Sequence, residues 1–301
     1  MNKGNLHEPV LVHEVIEYLH IENQARYIDA TLGTAGHSIE IIKRGGVILG
    51  IEEDPEMLKV ANESVKEACP ALNQTVQGQQ STFVKGNFRD IDTIAKTQNF
   101  ESVDGIIFDL GVSNPQLTSS SRGFSFAHPN SDLDMRLDPD AQGLKASDLL
   151  NLLREDQLQV LFGKVLDWQD SRKLVKGILL FRSTKAFKTT GDFLQVCRSL
   201  KGKAVLHNAT LPFLALRMTV NSELENLSEA LPKAYSLLRK GGRLLVISFH
   251  SGEDALVKKY FREIEDNGAR ILTKKPITPG QKEIESNPRS RSAKMRVLEK
   301  I

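Results

Sequence analysis

Cysteine is nearly absent from the chain. Only Cys69 and Cys197 occur in 301 residues, far apart and in no metal-like spacing, so neither a disulfide framework nor a cysteine-ligated metal is expected, and a reducing cytoplasm fits. Long apolar runs are missing too. No stretch approaches the roughly 20 residues that a membrane helix needs, and Glu8, His13 and Glu14 interrupt the N-terminus where a signal peptide would be apolar. The seven histidines show no paired spacing with carboxylates or thiols, so no metal site is expected. None of the four tyrosines is followed four residues later by lysine, which removes the acid pair of short-chain dehydrogenases.

What is present is an ordinary globular composition, 40% hydrophobic and 26% charged, with length enough for about two domains at roughly 150 residues each. The net charge is only +2, but it is unevenly spread. Residues 164–203 carry ten Lys or Arg against three Asp, and residues 270–301 carry nine against three Glu. Two basic stretches of this kind suit a phosphate backbone, and equally two solvated faces.

Strand patterns at "RYIDATLG", "GVILGIEEDP", "STFVKGNF" and "VDGIIFDLG" alternate with helical ones, including Met57, Val60, Ala61 and Val65 at helical spacing behind Pro55. Such alternation predicts a parallel sheet covered on both faces. It breaks between residues 117 and 206, where only turns and helices are legible, and resumes with a long helix ending at "LLRKGG" followed by "RLLVISFHS". "RILTKK" and "AKMRVLEK" are expected to close the sheet as a hairpin-like pair. The expected architecture is one doubly wound α/β domain, residues 1–116 and 207–301, with a mostly helical insertion at 117–206.

"DATLGTAGHS" (29–38) sits where the first strand turns into the first helix, and its glycines allow close approach of a ligand to main-chain amides at a helix N-terminus. Nineteen residues beyond Gly33, Glu52 ends the next strand, where a carboxylate can hold ribose hydroxyls; Glu53 and Asp54 compete for the same role. A nicotinamide cofactor and S-adenosylmethionine both present such a ribose, but the G-x-G-x-x-G fingerprint is not matched. The fourth strand runs out through Asp109, Asn114, Pro115 and Gln116. Acceptors here, an Asn114 amide oxygen and the Pro115 carbonyl, could hold the N–H groups of a nucleobase amine, with Phe124 or Phe126 stacked on the base. A common turn and core phenylalanines are the plainer reading. In "SFHSGED", Ser251 is the expected helix cap, while His250 and His37 are possible crevice residues.

Taken in order, "HEPVLVHEV", "DATLGTAGHS", "GIEEDP", "FDLGVSNPQL", "RGFSF", "LDMRLDP", "LRMTVNSELENL", "GGRLLVISFHSGED" and "NPRSRSAKMR" resemble the ribosomal RNA small subunit methyltransferase H (MraW) family, from about residue 7 to residue 298. The resemblance implies a class I, Rossmann-like fold with an inserted helical, RNA-recognising domain. It also implies S-adenosylmethionine-dependent methylation at N4 of a cytidine in 16S ribosomal RNA. The partner would be the small ribosomal subunit rather than DNA or a membrane, and the enzyme a cytoplasmic monomer or homodimer. Carried over by motif, the cofactor loop falls on Ala35, Gly36 and His37, the ribose acid on Glu52, the adenine-side aromatic on Phe88, and further cofactor contacts on Asp109 and Gln116. Asp109, Asn114 and Pro115 are the expected catalytic residues. The chain departs from the family pattern at Ala35, usually glycine, at Glu52, usually aspartate, and at Asn114, usually serine. A cofactor-binding assembly factor without turnover is the second reading those departures leave.

Overall fold

The computed structural model describes residues 9–70, 81–200, 207–265 and 267–301. His7 and Glu8 of the first motif, Lys201 and Lys203 of the first basic stretch, and the expected insertion end at 206 lie outside the described residues.

Seven strands form one sheet: β1 (Arg26–Asp29), β2 (Val47–Glu52), β3 (Thr82–Lys85), β4 (Val103–Asp109), β5 (Leu238–Ser248), β6 (Ala269–Ile271) and β7 (Lys294–Lys300). Their order is β3-β2-β1-β4-β5-β7-β6. The first five run parallel, and β7 is antiparallel to both β5 and β6, which makes the expected closing pair. The alternation of side chains divides the core between the two faces. Ile28, Ile106, Phe108, Leu244 and Val246 join one apolar cluster, whereas Tyr27, Ile107, Leu245 and Ile247 join another. All six residues of β2 are buried, as a strand covered on both faces requires.

The helix Pro55–Ala68 buries Met57, Ala61 and Val65, is capped by Asp54 and has proline in its first turn. One boundary differs from expectation. The helix before β5 ends at Leu237, and "RKGG" belongs to the strand, where the pairing with β4 shifts register between Val103 and Gly105. That irregularity lets the chain pass directly from helix to strand.

The chain divides into two compact units, residues 1–112 with 224–301, and Ser113–Glu223. The bounds of 117 and 206 read from the sequence fall inside the second unit. Its helices are Asn114–Thr118, Ala146–Leu152, Glu155–Gly163, Trp168–Arg182, Thr190–Cys197 and Thr210–Val220, and among the described residues its only strand-like pairing is the Asp132–Thr189 bridge. Asn221 explains the later end: its side chain accepts from the Leu137 N–H and donates to the Met135 carbonyl, which ties the segment after 206 to this unit. Phe187, Phe193 and Phe213 pack together in its core.

Candidate active site

The carboxyl ends of β1, β2 and β4 bring the expected cofactor residues together. Between β1 and the helix Gly36–Lys43 the chain turns sharply, with Gly33 at φ 53° and Ala35 at φ 67°. Both lie in the left-handed region, which costs an L-residue roughly 1–2 kcal/mol. Gly33 meets that demand without strain. Ala35 does not, and is held by its N–H to the Leu32 carbonyl at 2.7 Å, by Ile39 N–H to its own carbonyl, and by complete burial. Gly36 serves packing, because a Cβ there would come within 3.1 Å of the Pro9 ring.

The acidic cluster after β2 separates into three roles. Glu52 turns inward: its Oε2 accepts from Gly33 N–H at 2.7 Å and its Oε1 from Asp54 N–H at 2.9 Å. Glu53 accepts from the Asn87 amide, and Asp54 caps the following helix. Each Glu52 oxygen thus keeps a lone pair for a hydroxyl donor. Burial, with no cation beside it, pushes the Glu52 carboxyl up to about 8 against two amide bonds that pull it down.

Asp29, at the end of β1, is a site residue that the sequence reading did not single out. It is buried, accepts from the Ser38 hydroxyl at 2.6 Å and from Thr31 N–H at 3.3 Å, and burial raises its carboxyl above the usual range. Its signal in the sequence is simply a carboxylate closing the first strand.

His37 and Asp109 close the arrangement. His37 Nε2 stands 3.4 Å from Asp109 Oδ2, and Asp109 N–H donates to the Thr31 hydroxyl. Both ring nitrogens of His37 and Oδ1 of Asp109 are buried without a hydrogen-bond partner among the described residues. Phe88 packs edge-on against Phe108, with ring centres 5.6 Å apart, and so forms a partly buried aromatic wall beyond β3.

The other expected residues are held by their own surroundings. Asn114, Pro115 and Gln116 open the second unit, in the helix Asn114–Thr118. The Asn114 carbonyl accepts from the Thr118 hydroxyl, the Pro115 carbonyl accepts from Ser119 N–H, and the Gln116 side-chain oxygen accepts from Ser113 N–H at 2.7 Å in a capping box. The two candidate stacking rings differ in their surroundings. Phe124 is buried, and Phe126 is stacked on His207 and set edge-on to Phe213. The expected cap Ser251 is replaced by His250, whose Nδ1 accepts from Gly252 N–H and Glu253 N–H, with Nε2 3.1 Å from Glu253.

Residues 4–301 match the MraW methylase family. The chain belongs to that family. A ribosomal RNA small subunit methyltransferase H of Dictyoglomus thermophilum is 39% identical over 98% of this chain and 97% of its own length. One of the same name from Thermotoga neapolitana is also 39% identical, over 98% and 96%. Among solved structures, an rRNA methylase of Streptococcus thermophilus is 11% identical with a TM-score of 0.46, covering 99% of both chains. The strand order of the first unit is that of a class I methyltransferase fold, and as a member of the MraW methylase family the chain is a methyltransferase that uses S-adenosylmethionine.

The residues fit that cofactor. Glu52 can accept from ribose hydroxyls, the turn from Gly33 to His37 offers main-chain groups at a helix start, and Phe88 offers an apolar wall. The unpartnered polar atoms of His37 and Asp109 are what an amino acid or an amine would satisfy.

Proposed function

We propose that this methyltransferase modifies N4 of a cytidine in 16S ribosomal RNA, within the small ribosomal subunit and in the cytoplasm. The observation that supports the reading best is the Asp109 carboxylate at the carboxyl end of β4, whose buried Oδ1 has no partner among the described residues while its Oδ2 faces His37. S-adenosylmethionine supplies a methyl group on a sulfonium. An exocyclic cytosine amine is a poor nucleophile because its lone pair is delocalised into the ring. An acceptor that holds one N–H turns that lone pair toward the methyl group and stabilises the charge that develops on nitrogen. Asp109 fills this role, and it needs no strong basicity, since the nitrogen becomes acidic only after it is alkylated. Asn114 is proposed to assist through its amide oxygen and Pro115 through its carbonyl, which also accepts from Ser119 N–H, and Gln116 through the capping box that fixes the start of their helix. Phe88 and Glu52 hold the adenosine.

Small subunits lacking the modification, incubated with methyl-labelled S-adenosylmethionine, are expected to yield labelled N4-methylcytidine on nucleoside digestion. Label on another nucleoside would overturn the assigned position. Stable cofactor binding with no label transferred would favour an assembly factor, the reading that the departures at Ala35 and Asn114 suggest.

A further inference from the structure

On the first unit, away from the Gly33–His37 turn, the helix Ser251–Ile264, β6 and β7 line a cavity of about 270 Å3. In the sheet order β7 stands three strand spacings from β1, roughly 14 Å at ~4.8 Å per strand. Its lining includes Arg296, which is only 7% exposed. Asp254 takes the Arg296 Nε at 2.7 Å and one terminal nitrogen, Nη2, at 3.3 Å. Nη1 donates to none of the described residues. Thr273, 5% exposed, also lines the cavity; its hydroxyl accepts from Val297 N–H, and its own proton has no acceptor among the described residues. Arg296 and Thr273 thus place two donor groups with no acceptor among the described residues in the lining of one cavity. Lys258, Arg262 and Lys274 surround them, all exposed and without an ion pair among the described residues, against the single carboxylate Glu265. The Arg296–Asp254 pair is neutral, so the described residues of the rim carry a net +2.

We infer that this cavity is a phosphate-binding site, with Arg296 and Thr273 donating to the phosphate oxygens and Lys258, Arg262 and Lys274 neutralising their charge. Phosphate suits the site because it offers several acceptors and no donors, whereas a carboxylate or sulfonamide would use fewer of the five groups. The same chemistry serves a diester in an RNA chain or a free nucleoside monophosphate. The site narrows what the basic stretch at 270–301 does: of its nine cations, Lys274 and Arg296 line this cavity.

The test compares wild type with the triple variant Lys258→Ala, Arg262→Ala, Lys274→Ala, and with a control that removes equal charge from the exposed Lys59, Lys66 and Lys96. All three proteins are titrated with inorganic phosphate, cytidine 5′-monophosphate and a short oligouridylate at several salt concentrations, and S-adenosylmethionine binding is measured alongside. The cavity variant is expected to lose binding at least tenfold for one or more of these probes, with the control and cofactor binding unchanged. For oligouridylate, the slope of log K against log salt should become shallower by about 2, at ~0.7 for each phosphate charge no longer neutralised. Loss confined to oligouridylate identifies a chain phosphate, and loss that includes cytidine monophosphate a free nucleotide. Equal binding by all three proteins, or equal loss in cavity variant and control, overturns the site. Because no methyl transfer is read, this outcome is independent of the nucleotide proposed above.

Discussion

His37 Nε2, at the start of the helix Gly36–Lys43, and Asp109 Oδ2, at the end of β4, stand 3.4 Å apart, and no group among the described residues donates to the second Asp109 oxygen. One oxygen of the carboxylate thus faces the imidazole, while the other is buried and still able to accept. Asp109→Asn keeps the size but replaces part of the acceptor with a donor. It is expected to lower kcat about 10²–10³-fold, the usual cost of losing one positioned charge-stabilising group, while the cofactor Kd changes little. Single-turnover kinetics with the RNA substrate and calorimetric cofactor titration read the two effects separately. A large loss of cofactor affinity with kcat preserved would instead place Asp109 at the methionine end.

Glu52 makes cofactor binding depend on pH. Its carboxyl is raised to about 8 by burial, and ribose hydroxyls donating to it favour the charged form. Binding therefore releases a proton below that value. Cofactor affinity is expected to climb from about pH 6 to about pH 8 and level off above, whereas Glu52→Gln binds more weakly and without the slope. Stability runs the other way. The folded protein holds this proton in the window from the ordinary 4.5 up to about 8, so the stability it contributes is lost as pH rises through that window. Melting curves of wild type and Glu52→Gln should diverge accordingly, the wild type losing ground toward pH 8.

Much of the first unit was legible because its strands carry a local signal: buried runs such as "VILGIE", ended by glycine or an acid, force the parallel order. Glu52 was readable for the same reason, since it ends a strand whose neighbour begins the glycine turn. What was not legible depends on partners distant in the chain. That a Cβ on Gly36 would press on the Pro9 ring, and that Phe126 lies on His207, are facts of packing with no local pattern. Asn114 read as an amine clamp because Asn-Pro at a strand end looks like an exposed turn. The chain starts a short helix there, and the main-chain carbonyls of Asn114 and Pro115 accept from Thr118 and Ser119.

His250 separates capping from catalysis. As the residue whose Nδ1 accepts from two main-chain N–H groups, it is replaceable by a shorter acceptor. His250→Ala is expected to cost about 1 kcal/mol of stability, and His250→Asn to recover most of it with kcat unchanged. Chemical denaturation and turnover measured on both variants decide the point. A drop in kcat for His250→Asn at unchanged stability would give the imidazole a part in the reaction.

Gly33 isolates the strain of the cofactor turn from its packing. At φ 53°, a Cβ there would find nothing closer than the Thr31 carbonyl oxygen at 3.8 Å, so Gly33→Ala meets no clash. Its cost is the left-handed backbone alone, roughly 1–2 kcal/mol. Gly36→Ala, by contrast, sits in ordinary backbone but presses on the Pro9 ring at 3.1 Å. The two variants should therefore differ in kind. Gly33→Ala loses stability together with cofactor affinity, because the Gly33 N–H orients Glu52. Gly36→Ala shifts the segment at Pro9, and its melting loss should be relieved by Pro9→Ala in a double variant. Failure of that rescue would mean that Gly36 is kept small for something other than the proline ring.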